Sequence, residues 1–167
     1  MPDVEFQPEK LLDVLTNHGV RYVLIGGFAA VIYGSPHVTT DVDVVPDSSA
    51  ANLERLSTAL TELHAKVWTD ADPGGIPLDH DATSLASSRM WNLITDLGRL
   101  DIAFEPWGTQ GYADVARDAV HLTVLGAEID VASLADVIRS KEAAGRDKDR
   151  LALPVLRRIQ EEADRSS

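Results

Sequence analysis

The sequence contains no cysteine, so it offers no disulfide frame, no thiol nucleophile and no cysteine zinc site. Histidine is sparse: the five residues at positions 18, 37, 64, 80 and 121 show no close ligand pairing. Long apolar runs are missing too, with no stretch near the roughly 18–20 residues that cross a bilayer. Met1–Lys10 lacks the basic-then-apolar order of a secretory leader, and a cytoplasmic protein with no membrane partner is expected. Positive charge is in short supply: 15 Lys and Arg face 27 Asp and Glu, a formal net charge of -12. That deficit excludes a broad electrostatic grip on duplex nucleic acid, which depends on neutralising many phosphates.

A hydrophobic share of 44% and a charged share of 25% over 167 residues suffice for one packed domain. The charge is unevenly placed. Residues 1–138 hold 21 acids and 7 bases, whereas residues 139–167 hold 6 acids and 8 bases. The acidic body is either a solubility device or a store of metal-binding carboxylates, and only the positions of the acids can decide.

Along the chain, Pro8 in a first turn, Leu11, Leu12 and Leu15, and a stop at Gly19 predict an opening helix. Tyr22–Ile25 reads as a strand that runs directly into Gly26-Gly27, and Phe28–Tyr33 as a short helix ending near Gly34. Val42, Val44 and Val45 mark a second strand. Ser48 or Ser49 caps a helix to about Ala65, with Leu53, Leu56, Leu60 and Leu63 at helical spacing. Asp70–Ser88 reads as a long loop with a short helix after Asp81. Two hairpins follow, Trp91–Thr95 with Leu100–Phe104 and His121–Leu125 with Glu128–Val131. Ser133 and Asp136 resemble a capping box opening a helix to about Ala144; Asp147 caps a last helix that Pro154 should kink or divide. The pattern is a mixed sheet covered by helices, α/β or α+β. It divides into a core over 1–132 and a C-terminal helical segment over 133–167 packed on the same domain.

The segment VLIGGFAAVIYGSPHVTTDVDVVP, Val23–Pro46, carries the chemistry. Asp41 and Asp43 stand two apart in a strand pattern, so the pleat puts both carboxylates on one face and Val42 and Val44 on the other. Two adjacent acids repel unless a cation lies between them, and hard divalent ions favour carboxylate oxygens. Taken alone, the pair is equally a solvated strand edge. Gly26-Gly27, between strand and helix, allows close approach of a phosphate or simply makes a tight turn. Asp101, in the strand pattern LDIAF, can converge on the first two acids or face solvent. Three strand-borne acids behind a glycine pair form the set needed for two-metal nucleotidyl transfer.

These residues resemble the minimal nucleotidyltransferase superfamily, whose core is a Gly-Gly or Gly-Ser pair, a short helix, Asp-x-Asp/Glu and a third carboxylate on a later strand. GSPHVTTDVDVV, LGRLDIAFEP and SLADVIRSKEAAGRDKDRLALPVL are similar in order and content to the AbiEii-like and MenT-like toxin nucleotidyltransferases, across most of residues 20–157. The resemblance implies a nucleotidyltransferase fold in which Gly26 and Gly27 contact the triphosphate. It also implies that Asp41, Asp43 and Asp101 bind Mg²⁺ or Mn²⁺, with Asp101 helping to deprotonate the acceptor. Lys141 matches the family lysine that meets nucleotide phosphates, and Lys148 and Asp149 match a following KD element; Lys148 and Arg150 otherwise read as surface charge. Ser35 either touches phosphate or shapes the turn before Pro36. The chain departs from many relatives in having Gly27 for Ser and His37 for Arg, so that either phosphate affinity is lower or Arg139 or Arg146 supplies the missing charge. Trp107 in EPWG reads as a core cap or a base-stacking residue, and Asp70, Asp72, Asp79 and Asp81 as solvated loop acids.

The implied activity is transfer of NMP from an NTP such as ATP to a hydroxyl, with release of pyrophosphate. The implied acceptor is a tRNA 3′ end, and the setting a toxin with a cognate antitoxin. Two alternatives are a nucleotidyltransferase acting on a protein or small molecule, and a catalytically weak nucleotide-binding or antitoxin-like module.

Overall fold

The computed structural model describes residues 4–167; Met1–Asp3, the first residues of the segment read for a leader, lie outside the described residues. Among the described residues, eight strands form one mixed sheet: β1 (Tyr22–Ile25), β2 (Asp41–Pro46), β3 (Lys66–Val67), β4 (Ile76–Pro77), β5 (Met90–Thr95), β6 (Gly98–Ala103), β7 (Val120–Val124) and β8 (Ala127–Val131). Their spatial order is β4-β3-β5-β6-β2-β1-β8-β7. The helices are α1 (Pro8–Asn17), α2 (Gly26–Ile32), α3 (Ala50–Glu62), α4 (Ala82–Ala86), α5 (Tyr112–Arg117), α6 (Leu134–Ala144) and α7 (Asp147–Arg165). No helix among the described residues is long and apolar enough to cross a membrane.

Local chemistry sets most of these boundaries. Pro8 occupies the first turn of α1, where its missing N–H costs nothing, and Leu11, Leu12 and Leu15 are fully buried. Ser49 caps α3 by accepting from the Asn52 amide, and Leu53, Leu56 and Leu60 enter the core beside Leu24, Val42, Val44, Leu100 and Ile102. The central pairings position everything that follows. β1 runs antiparallel to β2, with Ile25 opposite Asp43, and β2 runs parallel to β6, with Asp43 opposite Asp101.

Several sequence-based expectations need correction. The stretch after Asp70 is not all loop, because Ile76–Pro77 pairs with Lys66–Val67 and extends the sheet. Two-residue strands have no periodicity to read. The helix after Asp81 is present, with Asp81 and Ser84 exchanging capping bonds. Ser133 caps α6 by accepting from the Asp136 amide, but Asp136 is not the other half of a box; its carboxylate pairs with Arg139 at 3.0 Å. Arg146, not Asp147, is the cap of α7, closed by the Asp149 side chain. Pro154 does not divide α7, which runs unbroken to Arg165; one missing N–H is tolerated on a helix whose Leu153 and Leu156 are buried.

Asn52 ties the far end of the β1–β2 pair. Fully buried, it accepts from the Arg21 amide at 2.7 Å and donates to the carbonyls of Arg21 at 3.0 Å and Asp47 at 2.7 Å. Asn52→Ala strands these groups and is expected to lower the unfolding free energy by about 2 kcal/mol in urea titration, without changing the fold.

Candidate active site

Side chains alternate across a strand, and here the alternation separates core from chemistry. Val42, Val44, Leu100 and Ile102 are buried, while Asp41, Asp43 and Asp101 are only partly so and share the opposite face. One carboxylate oxygen from each of the three acids can be chosen so that all lie within 4.8 Å of one another. Among the described residues this is the one group of three or more His, Asp or Glu with that geometry.

Gly26 abuts this cluster. Its φ is +79°, and a Cβ there would fall 2.3 Å from Asp43 Oδ2, so neither the backbone angle nor the space admits a side chain. At Gly27 a Cβ would lie 3.2 Å from Thr39 Oγ1. That hydroxyl donates to Asp41 Oδ1 at 3.0 Å. The glycine pair therefore makes room for the carboxylates and for the threonine that orients one of them.

Crowding and burial hold these acids in tension. Burial, then the neighbouring Asp41 and Asp101 charges, push the Asp43 carboxyl up to about 8; Lys148 and Arg146 only partly offset this. Asp101 rises to about 6 through burial and its hydrogen bond with Asp41, against the pull of Arg99. A divalent cation fits such a site: the donors are hard oxygens, and its charge relieves the repulsion that raises both values. Asp41, Asp43 and Asp101 are the residues that would hold it.

The cluster lies in a cleft of about 430 Å³ whose lining includes Gly26, Gly27, Ser35, His37, Lys141 and Trp107. The structure thus brings Gly26, Gly27, Ser35 and Lys141 together around Asp41, Asp43 and Asp101. Lys141 is buried in the wall, its Nζ 3.5 Å from Asp149 Oδ1, and the fully buried Asp149 also accepts from Arg146 Nε at 2.7 Å. Lys148 lines the cleft, contrary to its reading as surface charge, whereas Arg150 stays exposed beside Asp147. Arg146 reaches the cleft; Arg139 is engaged by Asp114 and Asp136 outside its lining. His37 presents Nε2 to the Leu151 carbonyl at 3.3 Å, and its amide donates to Ser35 Oγ at 3.4 Å. Trp107 does not cap the core, being 67% exposed.

Arg99 and Trp68 were not singled out from sequence. Arg99 Nη2 donates to Asp101 Oδ1 at 3.0 Å, and its guanidinium lies 3.7 Å above the Trp68 ring. The two-residue spacing of Arg99 and Asp101 places both on one strand face and was a legible signal for the arginine. Trp68 follows a two-residue strand and gave none.

No protein-family model matches the chain, and no curated protein is significantly similar to it. Solved structures do match. The lincosamide antibiotic adenylyltransferase LnuA, determined with lincomycin bound, is 15% identical with a TM-score of 0.63, over 94% of this chain and 99% of that one. A protein from Thermotoga maritima assigned as a nucleotidyltransferase is 19% identical with a TM-score of 0.55, over 94% and 96%. The fold is that of the nucleotidyltransferases.

A carboxyl whose folded value exceeds its unfolded one, near 4, retains a proton that the unfolded chain has lost. For Asp43, raised to about 8, the metal-free fold therefore loses stability as pH rises from about 4 to about 8. Asp43→Asn removes this penalty. In calorimetry with chelator, the variant is expected to melt above the parent at pH 8 with the margin closing towards pH 4, and Mn²⁺ should raise the melting temperature of the parent only. Gly26→Ala is expected to displace Asp43 and weaken Mn²⁺ binding by roughly tenfold or more in isothermal titration.

Proposed function

We propose that this protein is a divalent-metal-dependent nucleotidyltransferase that moves NMP from an NTP, such as ATP, to a hydroxyl acceptor and releases pyrophosphate. The observation carrying this reading is the convergence of Asp41, Asp43 and Asp101 within 4.8 Å in a cleft, on a fold shared with nucleotidyltransferases. Mg²⁺ or Mn²⁺ bound by these acids supplies charge neutralisation at the triphosphate and activation of the acceptor hydroxyl.

The chain's own groups divide the remaining work. Gly26 and Gly27 leave the backbone open beside the acids, so that phosphates can approach them closely. Lys141, Arg146 and Lys148, from the α6–α7 side of the cleft, face the negative charge that builds on the departing pyrophosphate. Ser35, also in the lining, offers a hydroxyl to the phosphates. The acceptor oxygen bonds to the α-phosphorus as the α–β bridging bond breaks, and the hydroxyl proton passes to the Asp101 carboxylate. Arg99 holds one oxygen of that carboxylate at 3.0 Å and so orients it.

The resemblance to AbiEii-like and MenT-like proteins supports a tRNA 3′ end as acceptor and a toxin role opposed by an antitoxin. A second reading, a small-molecule hydroxyl, is supported by the likeness to LnuA, an antibiotic adenylyltransferase, along nearly the whole of both chains. Incubation of α-labelled NTP and Mg²⁺ with total tRNA and with a panel of small hydroxyl compounds separates the two by which pool takes label. Asp41→Ala and Asp43→Ala are each expected to cut transfer by about 1,000-fold, roughly 4 kcal/mol of transition-state stabilisation, while circular dichroism stays unchanged. Undiminished transfer in both variants overturns the assignment.

A further inference from the structure

Tryptophan normally buries most of its ring, so one left largely in water at the edge of a cleft needs a reason. The other two tryptophans have evident structural occupations. Trp91 packs against the core and donates Nε1 to the Leu85 carbonyl at 3.0 Å. Trp68 has one ring face covered by Arg99 at 3.7 Å. Trp107 is 67% exposed and lines the cleft that contains the three acids.

The loop holding it is built firmly. The Thr109 amide and hydroxyl both donate to the Pro106 carbonyl, at 3.0 and 2.9 Å, closing a turn with Trp107 inside it. Gly108, at φ +74°, lies flush on α6: a Cβ there would sit 2.9 Å from both the Arg139 carbonyl and Ala143 Cβ. The backbone on both sides of Trp107 is thus held against the helix whose next residues, Ser140, Lys141 and Ala144, form the cleft wall. A fixed backbone beneath the ring lowers the ordering cost of stacking on it.

We propose that Trp107 is the stacking platform for the nucleobase of the donor nucleotide. This inference rests on the nucleotidyltransferase reading. In that chemistry the donor always brings a planar ring joined to a polyanion, and the wall offers matching groups: cations at Lys141, Arg146 and Lys148, and an uncharged aromatic face at Trp107. Stacking itself needs only the π-face that every base has.

The test is isothermal titration in Mg²⁺, without acceptor, of tripolyphosphate and of an NTP analogue with a non-cleavable α–β bridge. The full-length parent, Trp107→Ala and Trp107→Phe are compared. Trp107→Ala is expected to weaken the nucleotide about 10- to 100-fold and leave tripolyphosphate within twofold, with Trp107→Phe retaining most of the affinity. Nucleotide binding by Trp107→Ala within twofold of the parent overturns this inference and leaves the proposed activity standing. A parent that binds neither ligand overturns both. Melting curves of the variants, expected to match the parent because the ring lies outside the core, guard against misfolding.

Discussion

Three carboxylates drawn together against a bare backbone are the constraint on which this molecule turns. The parallel pairing of β2 with β6 puts Asp43 opposite Asp101, the pleat adds Asp41, and the antiparallel approach of β1 delivers Gly26 against Asp43 Oδ2. Like charges at this spacing repel, and burial deepens the cost. The fold sustains it because the opposite faces of the same strands bury Val42, Val44, Leu100 and Ile102 in a continuous core. The arrangement stores electrostatic strain that a bound divalent cation would relieve, and such binding would stabilise the fold.

Around that centre the molecule places compensating cations by rigid means. Arg99 is pinned by a ring below and a carboxylate beside it. Lys141 and Arg146 are held through Asp149, whose buried carboxylate Arg146 keeps below the ordinary carboxylate range despite burial. The acid surplus of the whole chain is therefore a poor guide to the cleft. Its walls carry Arg99 beside Asp101 and Lys141, Arg146 and Lys148 from the α6–α7 side, a field suited to a polyanion.

Much of this was legible beforehand, for identifiable reasons. Strands β1, β2, β5 and β6 and helices α1 and α3 announced themselves through runs of strand formers beside turn residues, helical leucine spacing and caps, which are properties of adjacent residues. Asp41 and Asp43 could be assigned to one face because two residues span one pleat repeat. β3, β4 and α5 escaped notice because they are too short to carry a period, and with β3 went the signal for Trp68. Lys148 looked like surface charge because helix α7 is charged on most sides. Nothing local says that its first turn faces the cleft.

Spacings of a few residues along the chain are enough to place the longer strands and helices and to say which residue types sit on a common strand face. The sequence also carried the ordered motifs by which the chain resembles nucleotidyltransferases. It took the folded chain to show that Asp101 meets Asp43, that Gly26 is required by the carboxylate facing it, that Arg99 stacks on Trp68 and that Trp107 opens onto the cleft instead of capping the core. Those outcomes depend on strand order and on helices packing across the sheet. Contacts between residues tens of positions apart are set by how the whole core closes, which no local spacing encodes.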